Sequence, residues 1–218
     1  MDNASLAELL QPFLCGAEAS PGLIAQLQTY LDLLLRWNAR VNLTAVRDPR
    51  QIVTRHFGES LFTAQLLSQH PGFQPAGTLA DVGSGAGFPG IPIKLMLPGF
   101  DLTLIESQHK KAIFLREVVR ALNIEHAQVF NGRAEQWQGQ ANVVTFRAVE
   151  QFARALPVAA SLVGEGGLLC LLIGEEQVEA ARQLAAGTWK WTEPVSLPDS
   201  AARRIVVAQR SDSLSKAP

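Results

Sequence analysis

Thr78 to Gly90, TLADVGSGAGFPG, sets the terms for any fold this chain can adopt. A short apolar run ends in Asp81 and breaks into Gly83, Gly85 and Gly87 at alternate positions. Glycine takes positive φ and carries no side chain, so a strand feeding such a turn and then a helix brings bare backbone N–H groups and a helix N-terminus against a ligand. The result is a nucleotide-sized pocket. A dinucleotide fingerprint, G-x-G-x-x-G, wants Gly or Ala at position 88. Phe88 stands there instead, with the third glycine one place early. The turn therefore reads as a site for an adenosyl compound with an amino-acid tail rather than a pyrophosphate cradle. Glycine clusters also serve as plain turns; the strand before, the helix after and an acidic residue downstream favour the cofactor site.

From Thr78 onward strand-like and helical runs alternate. Strands are expected at Thr78 to Val82, Asp101 to Ile105, Ala127 to Phe130, Val143 to Phe146, Gly167 to Ile173, Lys190 to Leu197 and Arg203 to Gln209, with helices between most of them. Such alternation makes an α/β fold, because each parallel return needs a crossover that covers the sheet. The last two strands have no helix between them, which predicts an antiparallel hairpin at one edge. Seven strands with that ending resemble the mainly parallel, Rossmann-like sheet of the class I methyltransferases.

The residues before Thr78 read as helices. Ser5 with Glu8 forms a capping-box pair, and Ser20 before Pro21 supplies an N-cap and an N1 proline for a longer helix. In that helix Leu23, Ile24, Leu27, Tyr30, Leu31, Leu34 and Leu35 make one wide apolar face. Trp37 to Thr44, WNARVNLT, breaks the period with side chains that bond locally to backbone, so an ordered loop is expected. Asp48-Pro49 then starts a third helix, with His56 on its apolar stripe. Pro71, Gly72, Pro75 and Gly77 break the composition. The expected organisation is an N-terminal helical appendage over residues 1–72, a Rossmann-like cofactor-binding domain over 73–210 and a frayed polar tail over 211–218.

A formal net charge of −1 argues against a surface that binds nucleic acid everywhere, since such binding rests on clustered Lys and Arg. Cys15 and Cys170 lie far apart in apolar surroundings, without C-x-x-C or a nearby His cluster, so they read as small buried hydrophobes and no metal site is suggested. The N-terminus lacks the order of a signal peptide, and the longest apolar run, near Leu168 to Ile173, is of strand length. A soluble, cytoplasmic protein is expected.

Open parallel sheets bind ligands outside the carboxyl ends of their strands. Glu106 closes the second strand, twenty-three residues after Gly83, where a carboxylate can accept both ribose hydroxyl hydrogens; it also suits a helix N-cap neighbour. Ala134-Glu135 follows the third strand and can hold an adenine edge by backbone or carboxylate, or be a plain helix-start charge. Arg147 ends the fourth strand, where a cation can grip a cofactor carboxylate or a substrate phosphate. Arg36, Arg40, Arg47, Arg50 and Arg55 cluster before the sheet, and His109, Lys110, Lys111, Arg116 and Arg120 follow Glu106. Charge runs are most often solvated faces. Arginines beside Trp37 and asparagines also suit a structured RNA, whose phosphates bind guanidinium and whose bases stack on aromatics. His56 reads as a satisfied core histidine rather than a base.

The runs W-N-x-x-x-N-L-T at Trp37 to Thr44, R-H-x-x-x-S-L at Arg55 to Leu61, D-V-G-S-G-A-G-F-P-G at Asp81 to Gly90, R-A-E at Arg133 to Glu135 and R-A-V at Arg147 to Val149 together resemble the bacterial RsmG (GidB) family of ribosomal RNA methyltransferases. The resemblance covers nearly the whole chain in order. It implies transfer of a methyl group from S-adenosylmethionine to N7 of one guanine in 16S ribosomal RNA, free, in an assembly intermediate or in the small subunit. It also implies cofactor contacts at Gly83, Phe88, Ala134, Glu135 and Arg147, to which the glycine pattern adds Gly85 and Gly87 and the ribose argument adds Glu106. Arg147 is the residue expected at the reacting centre. A monomer is expected, with no membrane and no DNA as partner. Three positions depart from the family: Glu59 stands for the usual Asp, Phe146 for a small residue, and Ile173 for a lysine.

Guanine N7 carries an in-plane lone pair and loses no proton on methylation, so no general base is needed at the acceptor. Placement alone supplies on the order of 7 to 11 kcal/mol at best. The fourth strand accordingly ends in neither a Pro-Cys nor an Asn-Pro-Pro-Tyr motif. Other readings are a small-molecule methyltransferase, which would close its acceptor pocket with an apolar lid, a nicotinamide oxidoreductase, disfavoured by Phe88, and a non-catalytic adenosyl-binding protein that docks on RNA.

Overall fold

A computed structural model describes residues 1–147 and 151–211. Ala148 and Val149 of the R-A-V run, and residues 212–218 of the expected tail, lie outside the described residues. Four helical segments come first: α1 (Asn3–Leu10), α2 (Pro21–Asn38), α3 (Pro49–Ile52) and α4 (Glu59–Gln69). Strands and helices then alternate as β1 (Gly77–Val82), α5 (Gly90–Met96), β2 (Phe100–Glu106), α6 (His109–Ala121), β3 (Ala127–Asn131), β4 (Ala141–Arg147), α7 (Phe152–Ser161), β5 (Val163–Gly174) and α8 (Val178–Leu184). Three strands follow among the described residues: β6 (Trp189–Trp191), β7 (Val195–Ser196) and β8 (Arg203–Arg210).

The sheet runs in the order β3-β2-β1-β4-β5-β8-β6, with β7 also paired to β8. The first five are parallel neighbours, and β8 enters antiparallel between β5 and β6. Because β5 occupies one edge of β8 along its length, β6 and β7 share the other edge as one line interrupted near Pro194, which has no N–H to give a ladder. Among the described residues the sheet thus has seven positions, as the alternation predicts. The hairpin expected at the edge is present, but its second strand is interior.

One face of the sheet packs on the N-terminal helices. Leu27, Tyr30, Leu34, Phe57 and Leu61 share a buried cluster with Leu79, Leu104, Phe114 and Leu172. The opposite face packs on α7 and α8 through Val144, Phe146, Leu156, Leu169 and Ile173. Parallel strands covered on both sides must be largely apolar on both sides, which is why β5 reads as a continuous apolar run over Leu168 to Ile173 and the buried part of β4 is apolar but for Thr145. Residues 1–72 therefore share their core with the sheet.

Several local expectations need correction. Helix α1 is capped by Asp2, whose Oδ1 accepts from Ser5 N at 2.8 Å, so the Ser5 and Glu8 pair lies inside the helix. Cys15 is exposed, at φ 48 beyond a tight turn, whereas Cys170 is buried as expected. The third helix opens on Asp48 and Pro49 as predicted but widens into a π turn over Val53–Gly58 before α4. Ser20 caps α2 as predicted, accepting from Leu23 N at 3.2 Å. Among the described residues no helix is long and apolar enough to cross a membrane.

Candidate active site

Strand β1 ends in the glycine turn, and parallel pairing with β2 brings Ile105 and Glu106 beside it. Gly83 N and Ser84 N donate to Ile105 O at 2.9 and 3.1 Å. Gly85 N donates to Glu106 Oε2 at 2.9 Å, and Gln108 N donates to Glu106 Oε1 at 2.7 Å. Glu106, 5% exposed, thus ties the glycine turn to the start of α6. It occupies the strand end where the sequence places it, and in this structure its two oxygens hold backbone.

The three glycines have different surroundings. Gly83 and Gly85 line a cleft of about 470 Å³ at the carboxyl ends of the strands. Gly85 has φ +56, and a Cβ built on it meets nothing nearer than Gly83 O at 3.8 Å, so that side is open. Gly87, at φ +91, does not line the cleft: a Cβ there collides with Tyr30 Oη and lies 2.6 Å from Ile91 Cδ1. Its glycine is required by close packing beneath the turn. Tyr30 Oη donates to Ala86 O, and its ring stacks on Phe88 with centroids 5.2 Å apart. Burial and the nearby Asp81 push the Tyr30 hydroxyl well above its ordinary pKa, so it stays a donor.

Asp81, below the turn, accepts from Thr145 Oγ1 at 2.7 Å, linking β1 to β4. Its Oδ2 is buried without a partner among the described residues. Burial pushes this carboxyl up to about 6, against the hydrogen bond from Thr145 and the charge of Arg147.

The far wall comes from β3 and α6. Gly132 to Glu135 line the cleft, with Ala134 opening a short 3-10 turn and Glu135 exposed. Ser107, Gln108 and Lys111 complete that side. The opposite end is formed by Leu43, Thr44, His56, Phe88 and Arg147, and by Gln151, Arg154, Ala155 and Val158 near and on α7. Of the predicted contacts, Gly83, Gly85, Phe88, Glu106, Ala134, Glu135 and Arg147 come together around one cleft, and Gly87 supports it from below.

Arg147 is held tightly. Its Nη2 lies 2.6 Å from Arg55 O, 3.1 Å from Glu59 Oε2 and 3.2 Å from His56 Nδ1, three acceptors that share its two hydrogens. Its Nη1 is buried with no partner among the described residues. The π turn over Val53–Gly58 presents the Arg55 carbonyl and the His56 ring together; wide turns of this kind often occur at functional positions. His56 is neutral, since burial and the charges of Arg147 and Arg55 push it down to about 3. It is a satisfied histidine, as the sequence suggests, yet it also lines the cleft.

Asn38 orders the expected loop. Its Oδ1 accepts from Leu43 N at 2.9 Å and Thr44 N at 3.1 Å, while its Nδ2 donates to Thr44 O at 3.0 Å. Trp37 is engaged with α6, its Nε1 donating to Glu117 at 3.1 Å and its ring edge-on to Phe114 at 5.7 Å. That ring is thus half-buried against α6. Ile173 and Phe146 are both buried in the core on the α7 side. The roles of Tyr30, Thr44, Lys111 and Arg154 at this cleft were not read from sequence. For Tyr30 the available signal was that it is the single tyrosine, set within a helical face otherwise aliphatic.

Comparisons with known proteins agree with this architecture. TYW2 of P. horikoshii, solved in complex with MeSAdo, superposes with a TM-score of 0.57 at 13% identity over 71% of this chain and 62% of that one. An O-methyltransferase family protein from Burkholderia thailandensis gives 0.56 at 14% identity over 88% of this chain and 72% of that one. At such identity these likenesses speak for the fold. Sequence relatives say more. Ribosomal RNA small subunit methyltransferase G of Stenotrophomonas maltophilia (strain K279a) is 40% identical over 94% of both chains. The protein of the same name from Roseiflexus castenholzii is 39% identical over 84% of this chain and 82% of that one. The GidB family, described as rRNA small subunit methyltransferase G, matches residues 23–204. With its glycine-turn cleft and these matches, the chain belongs to the GidB family.

Proposed function

We propose that this chain transfers a methyl group from S-adenosylmethionine to N7 of one guanine in 16S ribosomal RNA. The observation that carries the reading is the open cleft at the glycine turn, where main chain at Gly83 and Gly85 is bare and Gly85 faces empty space. The residues present fit the donor. Gly83, Gly85, Ala134 and Glu135 would hold its adenosyl part, and the uncommitted Nη1 donors of Arg147 would take its carboxylate. When bound, the donor supplies an electrophilic methyl group on a sulfonium sulfur.

The residues around the cleft do the rest by placement. Tyr30, Phe88 and His56 form a stacked series with Phe88 in the middle, at centroid spacings of 5.2 and 5.0 Å, that fixes the wall beside the reacting end. His56 Nδ1 is engaged by Arg147 and its ring stays neutral, so it does not serve as a base. N7 needs none. The nucleobase would enter from the side of Thr44 and α7, with RNA phosphates meeting the exposed Arg36, Arg40, Arg47, Arg50 and Arg55 of the helical region. Arg154, exposed at the cleft mouth, extends that basic surface. The partner is the RNA of the small subunit or of an assembly intermediate, and the enzyme acts as a monomer.

The test is to delete the gene and map N7-methylguanine in 16S RNA by borohydride and aniline cleavage. Loss of one cleavage site, restored by the wild-type gene and not by Arg147→Ala, is expected. An unchanged pattern rejects the substrate.

A further inference from the structure

Methyl transfer to N7 leaves one group of side chains in the cleft wall without a task. Arg147 Nη2 lies 3.2 Å from His56 Nδ1, and a guanidinium has donors only. Because Arg147 can only donate, we assign the lone pair to Nδ1 and the proton of this neutral ring to Nε2. Nε2 lies 2.8 Å from Thr44 Oγ1, so Nε2–H donates to that hydroxyl, which also accepts from Val46 N at 3.2 Å. The backbone of Thr44 is itself clamped by Asn38 on both its N–H and its C=O. A continuous run of directed hydrogen bonds thus leads from the end of α2, through the loop, to the guanidinium at the cleft.

We propose that His56 is a positioning residue: it fixes the plane of the Arg147 guanidinium in the cleft and joins that plane to the Thr44 loop. This rests on the methyl-transfer reading given above. Glu59 supplies the counter-charge for Arg147, but a lone carboxylate oxygen tolerates many guanidinium orientations. The Arg55 carbonyl and His56 Nδ1 restrict them, because both approach the same Nη2. That nitrogen has two hydrogens for three acceptors, so Nη2 is saturated and Nη1 remains for a ligand. The imidazole suits the task because it is an acceptor on one side and a donor on the other. Its ring is also held flat against Phe88, at 5.0 Å and 22°. The loop it joins carries Arg40 and Arg47, both exposed, so RNA held there and the guanidinium at the cleft share one rigid connection.

Three variants test this: His56→Leu, which removes both bonds, His56→Asn, whose side-chain oxygen can replace Nδ1 as the acceptor, and Thr44→Val, which removes the loop contact to Nε2 together with the bond from Val46 N and leaves Nδ1 facing Arg147. S-adenosylmethionine affinity is measured by calorimetry, and kcat and KM by methyl transfer to small-subunit RNA. His56→Leu is expected to weaken cofactor binding and lower kcat by about tenfold or more, the scale of one lost hydrogen bond to a charged group. His56→Asn should recover most of the cofactor affinity. Thr44→Val should retain cofactor affinity and lose kcat on RNA. Equal affinity and kcat in His56→Leu and wild type, per folded molecule, overturns the proposal, as does a His56→Asn protein no better than His56→Leu. If His56→Leu does not fold, His56→Asn and Thr44→Val decide: the first must bind cofactor nearly as wild type and the second must lose kcat, and failure of either overturns it. Should the wild-type protein methylate no RNA, the functional reading fails, while the calorimetric comparison still judges the role of His56.

Discussion

Glu59 and Arg147 form an ion pair at 3.1 Å with the carboxylate side chain 2% exposed, and Arg203 closes on the other oxygen of the same carboxylate. One anion buried at the start of α4 thus serves two cations, one from the end of β4 and one from the start of β8. Burial raises the Glu59 carboxyl above its ordinary pKa even against the pull of Arg147 and Arg203. The carboxylate is therefore held at a cost, which the two guanidinium groups offset.

Glu59→Gln removes the anion and leaves two cations facing each other. Breaking a buried pair costs about 3 to 5 kcal/mol, and Arg203 is exposed enough to recover part of that in water. A loss of about 3 kcal/mol, or roughly 6 to 12 °C in melting temperature, is expected. The double variant Glu59→Gln/Arg147→Met should regain part of it, because the more buried of the two stranded charges is gone and only the more exposed Arg203 remains. Calorimetry of the four proteins in that cycle checks this, and additive losses would show that the pair is not coupled.

Gly85 and Gly87 lie two positions apart and should fail in different ways. Gly85→Leu points a side chain into open cleft, at the backbone cost of a positive φ, about 1 to 2 kcal/mol. The expected outcome is a folded protein with no measurable S-adenosylmethionine binding. Gly87→Ala places its methyl against Tyr30 Oη, Ile91 and Leu115 at φ +91, so both strain and overpacking destabilise it. A melting temperature lowered much more by the small substitution than by the large one is the signature. Calorimetric binding retained in Gly85→Leu would move the cofactor elsewhere.

Tyr30→Phe isolates one hydrogen bond. The ring still stacks on Phe88, but Ala86 O loses its donor inside the buried side of the turn. An unpaired buried acceptor costs about 1 to 3 kcal/mol. Because the lost contact lies on the ligand-binding turn, denaturant midpoint and cofactor affinity should fall together. A change in the midpoint alone would mean that the turn holds its shape without the hydroxyl.

What sequence revealed here follows the range of the interactions involved. The glycine turn, the N-caps at Ser20 and Asp48 and the ordered Asn38 loop are made by neighbours in the chain, so their residue types announce them. Glu106 was legible as a residue at the strand end, but not as the acceptor for Gly85 N, because that bond depends on the register of β2 against β1. The inward side of Gly87 depends on Tyr30 arriving from a helix far away in the chain. Asp2 and Ser5 both obey the N-cap rule, and only the path of α1 chooses between them. The interior place of β8 is a property of sheet order, which no local pattern encodes.

His56 gives the molecule a pH signature of definite sign. Its ordinary pKa of 6.5 is pushed down to about 3 in the folded state by burial and by Arg147, Arg55 and Arg203, with Glu59 the nearby anion. Below 6.5 the unfolded chain takes up a proton that the folded chain refuses, so this contribution to stability is complete above 6.5 and is lost as pH falls toward 3. Asp81 acts in the opposite direction: its carboxyl is raised from 3.8 to about 6, so proton uptake favours the folded state as pH drops through that interval. The two overlap and partly cancel in the wild-type profile. Subtracting the profile of His56→Asn removes Asp81, which both proteins share. The difference should grow by about 2 kcal/mol between pH 7 and pH 5, the wild-type protein losing more, at about 1.4 kcal/mol per pH unit once well below 6.5. Urea denaturation at intervals across that range measures it. A difference that stays flat would mean that His56 ionises equally in both states, and so that Nδ1 is not committed to Arg147.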